Sequence, residues 1–116
     1  MANMLSAQLA TMKLNVLNSF VSGSANIFAG AAPAGCTVPG LSAFGFISIN
    51  ALITDANTDS NHALDSDPNT TAAGAARNCQ EFMKNALDNA NNNRNFVQGS
   101  ACAVNYNNTE TCAATP

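Results

Sequence analysis

Charge is what this sequence has least of. Only 9% of its 116 residues are charged, against about 25% in typical soluble domains. The four cations, Lys13, Arg77, Lys84 and Arg94, are scattered. Neutralising phosphates takes clustered Lys and Arg, so no nucleic-acid or anionic-membrane partner is expected. Scarce charge also removes the self-repulsion that keeps copies of a protein apart. Such a surface permits self-association.

Close cysteine pairs are missing as well. Cys36, Cys79, Cys102 and Cys112 lie far apart with no Cys-x-x-Cys, whereas zinc and redox sites usually show such pairs. An even count in a small neutral domain reads as two disulfides formed in an oxidising compartment. Three connectivities are open, and so are bridges between subunits. His62, the only histidine, sits in a polar loop without a Cys, Asp or Glu at motif spacing, and reads as a surface residue. No G-x-S-x-G, H-E-x-x-H, phosphate loop or paired-carboxylate arrangement occurs. The expectation is no enzyme, no catalytic residue, no cofactor and no small-molecule substrate.

No leader signature is read in the first residues either. No basic n-region precedes an apolar core and cleavage site, and polar residues interrupt the first apolar segment too often for a membrane span. The chain is therefore expected to be a mature protein or an excised segment of one. Cysteines and an ion-poor surface together point to a secreted, extracellular or cell-surface location.

What is present is apolar periodicity. Hydrophobic residues make up 47% of the chain, enough for one domain spanning 1–116. Ala2 to Val21 carries two stripes at helical spacing: Leu5, Leu9, Met12, Val16, Phe20 and Ala7, Ala10, Leu14, Leu17, Val21. A helix over 2–21 would be roughly 30 Å long, more than a small domain buries. The second stripe is thus the expected self-assembly face, with small Ala7 and Ala10 allowing close approach of another backbone.

The segment 22–47, rich in Gly, Ala and Pro, reads as an irregular loop anchored by Cys36, with Ile27 and Phe28 against the core. Ser48 is a good N-cap for a second helix over about 48–58, whose stripe is Ile49, Leu52, Ile53 and Ala56. A third helix is expected over about 71–92, burying Ala72, Ala76, Cys79, Met83, Ala86, Leu87 and Ala90. Its opposite face carries Arg77, Glu81, Lys84 and Asp88, spaced for ion pairs. The arm 98–116 is polar, with a short extended or β segment near 100–106. The expected fold is mainly α: three helices in a bundle-like domain, disulfide-stapled, with a long irregular loop.

Asp55, Asn57, Asp59 and Asn61 alternate like the first ligands of a calcium loop, but Ser60 and Ser66 replace its glycine and bidentate glutamate. These four are a weak calcium candidate, and no metal is expected. Asn69 and Asn107 head N-glycosylation sequons.

Three segments, MLSAQLATMKLNV (4–16), GFISINALITDAN (45–57) and QEFMKNALDNANNNRNFV (80–97), together resemble an uncharacterised helical module. It lies at the C-terminal ends of large secreted bacterial surface proteins that often carry immunoglobulin-like repeats upstream. The resemblance covers the three helices, about half of the chain. It implies a helical fold and an extracellular setting, with no enzymatic residues to carry over. Without upstream repeats in this chain, a free-standing exported protein is expected.

The leading functional expectation is a secreted structural subunit that assembles with copies of itself into a filament or fibre. The alternatives are a helical adhesin or interaction module of a bacterial surface protein, and a carrier whose apolar pocket is lined by Met12, Phe20, Phe46 and Met83.

Overall fold

The first stripe of the N-terminal helix decides where the core lies. In a computed structural model, which describes residues 1–71 and 73–97, helix α1 spans Ala2–Leu17. Leu5, Leu9 and Met12 are buried and Val16 is half-buried. They pack on the longest helix, α3 (Ala75–Asn91), through Cys79, Met83, Ala86, Leu87 and Ala90, all buried. Apolar residues of α3 keep to one side, whereas those of α1 are spread around its axis. The expected inner faces are observed from Leu5 to Val16 on α1 and from Cys79 to Ala90 on α3. Ala76 is half-buried at the edge of the α3 face, and Ala72 lies outside the described residues.

Helix α1 stops four residues short of the expected end at Val21. Ser19 adopts a positive φ of 62°, so its N–H turns back to the Val16 carbonyl and that of Phe20 to Asn15. This is a Schellman cap built without glycine. The same device ends α3: Asn93 takes φ 57°, its N–H returns to Ala90, and that of Arg94 to Asn89. Past the first cap, Phe20 leaves the helix face and is 78% exposed, while Val21 swings inward against the core.

The segment expected to be an irregular loop contains strands. β1 (Asn26–Phe28) is the central strand of a three-stranded antiparallel sheet, flanked by β2 (Phe46–Ser48) and β3 (Phe96–Val97). Register pairs Ile27 with Ile47 and with Phe96, placing these three on the inner face. Phe28 pairs with Phe46 on the outer face and is 51% exposed, so it does not join the core as expected. Three-residue strands are too short for alternation to register in sequence; only their pairing makes them strands. The fold is therefore mixed, helices plus a small sheet, and not purely a bundle. The expected β segment near 100–106, with the rest of the arm 98–116, lies outside the described residues.

Between β1 and β2 the chain returns through Gly45, whose φ is 88°. A Cβ there would meet the Gly30 backbone at 3.0 Å. Ser48 then caps helix α2 (Ile49–Thr54) as expected, its Oγ accepting from the Ala51 N–H at 3.2 Å. Ile49, Leu52 and Ala56 are buried and Ile53 is half-buried. A π-helical turn, Asp55–Asp59, follows directly, so the helical path ends within a residue of the expected 58.

Candidate functional site

The second stripe of α1 faces away from the core. Ala7 and Ala10 are exposed, Leu14 is 58% and Leu17 77% exposed. Val21, expected to continue this face, lies beyond the cap and does not belong to it. The four helical residues alternate steps of three and four, which keeps them on one line along the helix surface. Thr11 and Lys13 flank them, both exposed. On a chain so poor in charge, this exposed apolar line is the candidate contact surface.

A second apolar face lies on the sheet. The Phe28 and Phe46 rings meet edge to face at 5.5 Å and 64°, a favoured aromatic geometry, yet both remain partly in water. Val97 of β3 is exposed beside Asn26 of β1. Phe44, two residues before Phe46, is 82% exposed.

The polar loops are a structural tie. Cys36 is bonded to Cys79, joining the β1–β2 connection to the buried face of α3. Around this bridge the connection is held by side chains from the π-helical turn and the loop that follows it. Asn61 Oδ1 accepts from the Thr37 N–H at 2.9 Å, and its Nδ2 donates to the Gly35 carbonyl at 2.8 Å. Asp55 Oδ2 accepts from the Gly40 N–H at 2.8 Å. A Cβ on Gly40 would sit 2.7 Å from the Ala51 Cβ, so only glycine approaches this closely. Burial pushes the Asp55 carboxyl above its usual range, against the lowering effect of the Gly40 hydrogen bond; Asp59 adds a smaller upward push. Cys102 and Cys112 lie outside the described residues.

These contacts account for the calcium-like alternation. Asp55 is buried against Gly40 and Asn61 clamps residues 35–37, while Asn57 and Asp59 are exposed. The four do not converge, and among the described residues no group of three His, Cys, Asp or Glu side chains does. His62 is half-buried, with Nδ1 2.8 Å from Asp67 Oδ2, a partner that motif spacing did not suggest. Gln80, on α3 between the two expected faces, is wholly buried. Its Nε2 donates to the carbonyls of His62 at 3.0 Å and Asp67 at 2.8 Å, fastening the polar loop to the helix. On the outer face of α3, Arg77 and Glu81 pair at 2.8 Å as expected. Asp88 instead accepts from Asn92 at 3.0 Å. Asn69 of the first sequon is exposed; Asn107 lies outside the described residues.

The four residues expected to line a carrier's pocket do not come together. Met12 and Met83 are core residues without exposure, whereas Phe20 and Phe46 face solvent. A groove of about 500 Å³ lies at the shared end of α1 and α3. Asn15, Phe20, Val21, Ala90, Asn91 and Phe96 line it, and it is open to solvent. Asn15 donates to Asn91 Oδ1 at 3.0 Å, and Asn91 donates to Gln8 Oε1 at 2.8 Å. That amide chain cross-links the helices. No helix among the described residues is long and apolar enough to cross a membrane. No family model, curated protein or solved structure matches this chain.

Proposed function

We propose that this chain is a secreted structural subunit that assembles with copies of itself into an extracellular filament or fibre. The observation that carries this reading is the outward face of α1, where Ala7, Ala10, Leu14 and Leu17 stay exposed after the domain has folded. Water is displaced from such a line only by another surface, and burying one leucine side chain is worth about 1.5–3 kcal/mol. With 9% charged residues, little repulsion opposes the approach of a second copy. The Phe28–Phe46 face lies on a different element. A subunit with two contact faces extends into a chain where one face would close a pair. The Cys36–Cys79 bridge fits the oxidising setting of an exported protein.

Sedimentation across a concentration series, with negative-stain microscopy of the same samples, tests this. Concentration-dependent species that grow into elongated particles support the reading. A monomer at every concentration, with no particles longer than one subunit, overturns it.

A further inference from the structure

The outward line of α1 has an internal order that selects its partner. Its steps of three, four and three, at residues 7, 10, 14 and 17, follow the seam of a coiled coil. Size is graded along the seam: alanine fills its first two positions and exposed leucine its last two. In a parallel pair, alanine would face alanine at one end and leucine would crowd leucine at the other, splaying the helices. In an antiparallel pair, each leucine faces an alanine and every layer has the same thickness.

Resting on the self-association proposed above, we infer that α1 pairs with α1 of a second copy, antiparallel, about a two-fold axis at residue 12. Ala7 then faces Leu17 of the other copy and Ala10 faces Leu14, because positions that sum to 24 lie opposite each other. The helix macrodipoles also run in opposite directions, the favourable arrangement. The charge pattern points to a like partner as well. The only charge on α1 is Lys13, so the face offers no ionic pattern to a basic or an acidic protein. Pairing places both Lys13 side chains on the same side of the pair, a like-charge cost that water and salt screen. A seam of about 15 Å buries less than the roughly 1,000 Å² of a stable dimer. It makes a reversible contact that gains strength when many subunits are joined.

Two charge variants of the full chain, Ala10→Glu and Leu14→Lys, test the pairing by sedimentation, alone and as an equimolar mixture. Both positions are exposed, and circular dichroism checks that each variant retains its helices. Alone, each variant associates about tenfold or more weakly than the unaltered chain, because an unpaired charge enters the seam. Mixed, they recover association. The carboxylate introduced at position 10 of one copy then meets the ammonium introduced at position 14 of the other, while the unaltered Leu14 and Ala10 still pair on the far side of the axis. A parallel pair sets the new carboxylate against Ala10 and the new ammonium against Leu14, so mixing relieves only the like-charge repulsion of the single variants and leaves association well below that of the unaltered chain. If the unaltered chain associates but the mixture stays well below it, the antiparallel pairing is overturned and self-association stands. If neither variant weakens association, the seam is overturned as the contact. If the unaltered chain never associates, both readings fall.

Discussion

Replacing both cysteines of the bridge, Cys36→Ala with Cys79→Ala, removes a covalent tie between residues separated by 43 positions. In the chain-entropy account a loop of that size restrains the unfolded chain by about 4 kcal/mol. Against a typical total stability of about 5–15 kcal/mol, this is a large share, equivalent to a fall of roughly 15 °C or more in Tm. The native state has other anchors at the same place. Asn61 clamps Gly35 and Thr37, and Asp55 holds Gly40. The folded form is therefore expected to survive, and the loss to act mainly through a more expanded unfolded state. Urea unfolding followed by far-ultraviolet circular dichroism checks this. The native spectrum should be retained, the midpoint should fall, and the denaturant slope should rise as more surface is exposed. Mass spectrometry should confirm that Cys102 and Cys112 keep the state they have in the unaltered chain. A stability loss below about 1 kcal/mol with an unchanged slope would refute the reasoning.

Ser19→Gly removes the left-handed strain at the α1 cap, where φ is 62°, and should stabilise the domain by about 1 kcal/mol in thermal or urea unfolding. Gln80→Met keeps the volume of a buried side chain but leaves the His62 carbonyl without its donor and the Asp67 carbonyl with the Thr70 hydroxyl alone; a loss of about 1–3 kcal/mol is expected by the same measurements. The carboxyl of Asp55 is raised from 3.8 chiefly by burial, so the folded state holds its proton more tightly than the unfolded state. Its contribution is greatest below that value and is lost as pH rises through the folded pKa. Asp55→Asn keeps an acceptor for Gly40 and should flatten stability against pH in the window starting near 3.8; an unchanged pH profile would contradict the assignment.

The helices were legible in the sequence because each repeats its message over several turns. Leu5, Leu9 and Met12 on α1, and Cys79, Met83 and Leu87 on α3, are spaced as a buried face must be, and they are buried. Ser48 announced its cap through its own side chain. The surplus of apolar surface on α1, which carries the functional reading, was also visible as a second stripe too wide for one small domain. These features are local, so propensity and periodicity determine them.

The tertiary structure decided what depends on residues far apart. β1 is a strand because Ile27 meets Ile47 and Phe96, and three residues carry no period of their own. The cap at Ser19 uses a residue without a strong left-handed preference, so the turn that exposes Phe20 and buries Val21 had no signal in composition. Cys36 could have paired with any of three cysteines until the fold brought it to Cys79. Asn61 and Asp55 read as calcium ligands by spacing and proved to be hydrogen-bond clamps, because their partners, Thr37, Gly35 and Gly40, come from a distant loop. The same holds for the second stripe of α1: spacing put Ala7, Ala10, Leu14, Leu17 and Val21 on one line, and only packing against α3, with the cap that removes Val21, decided which four face water.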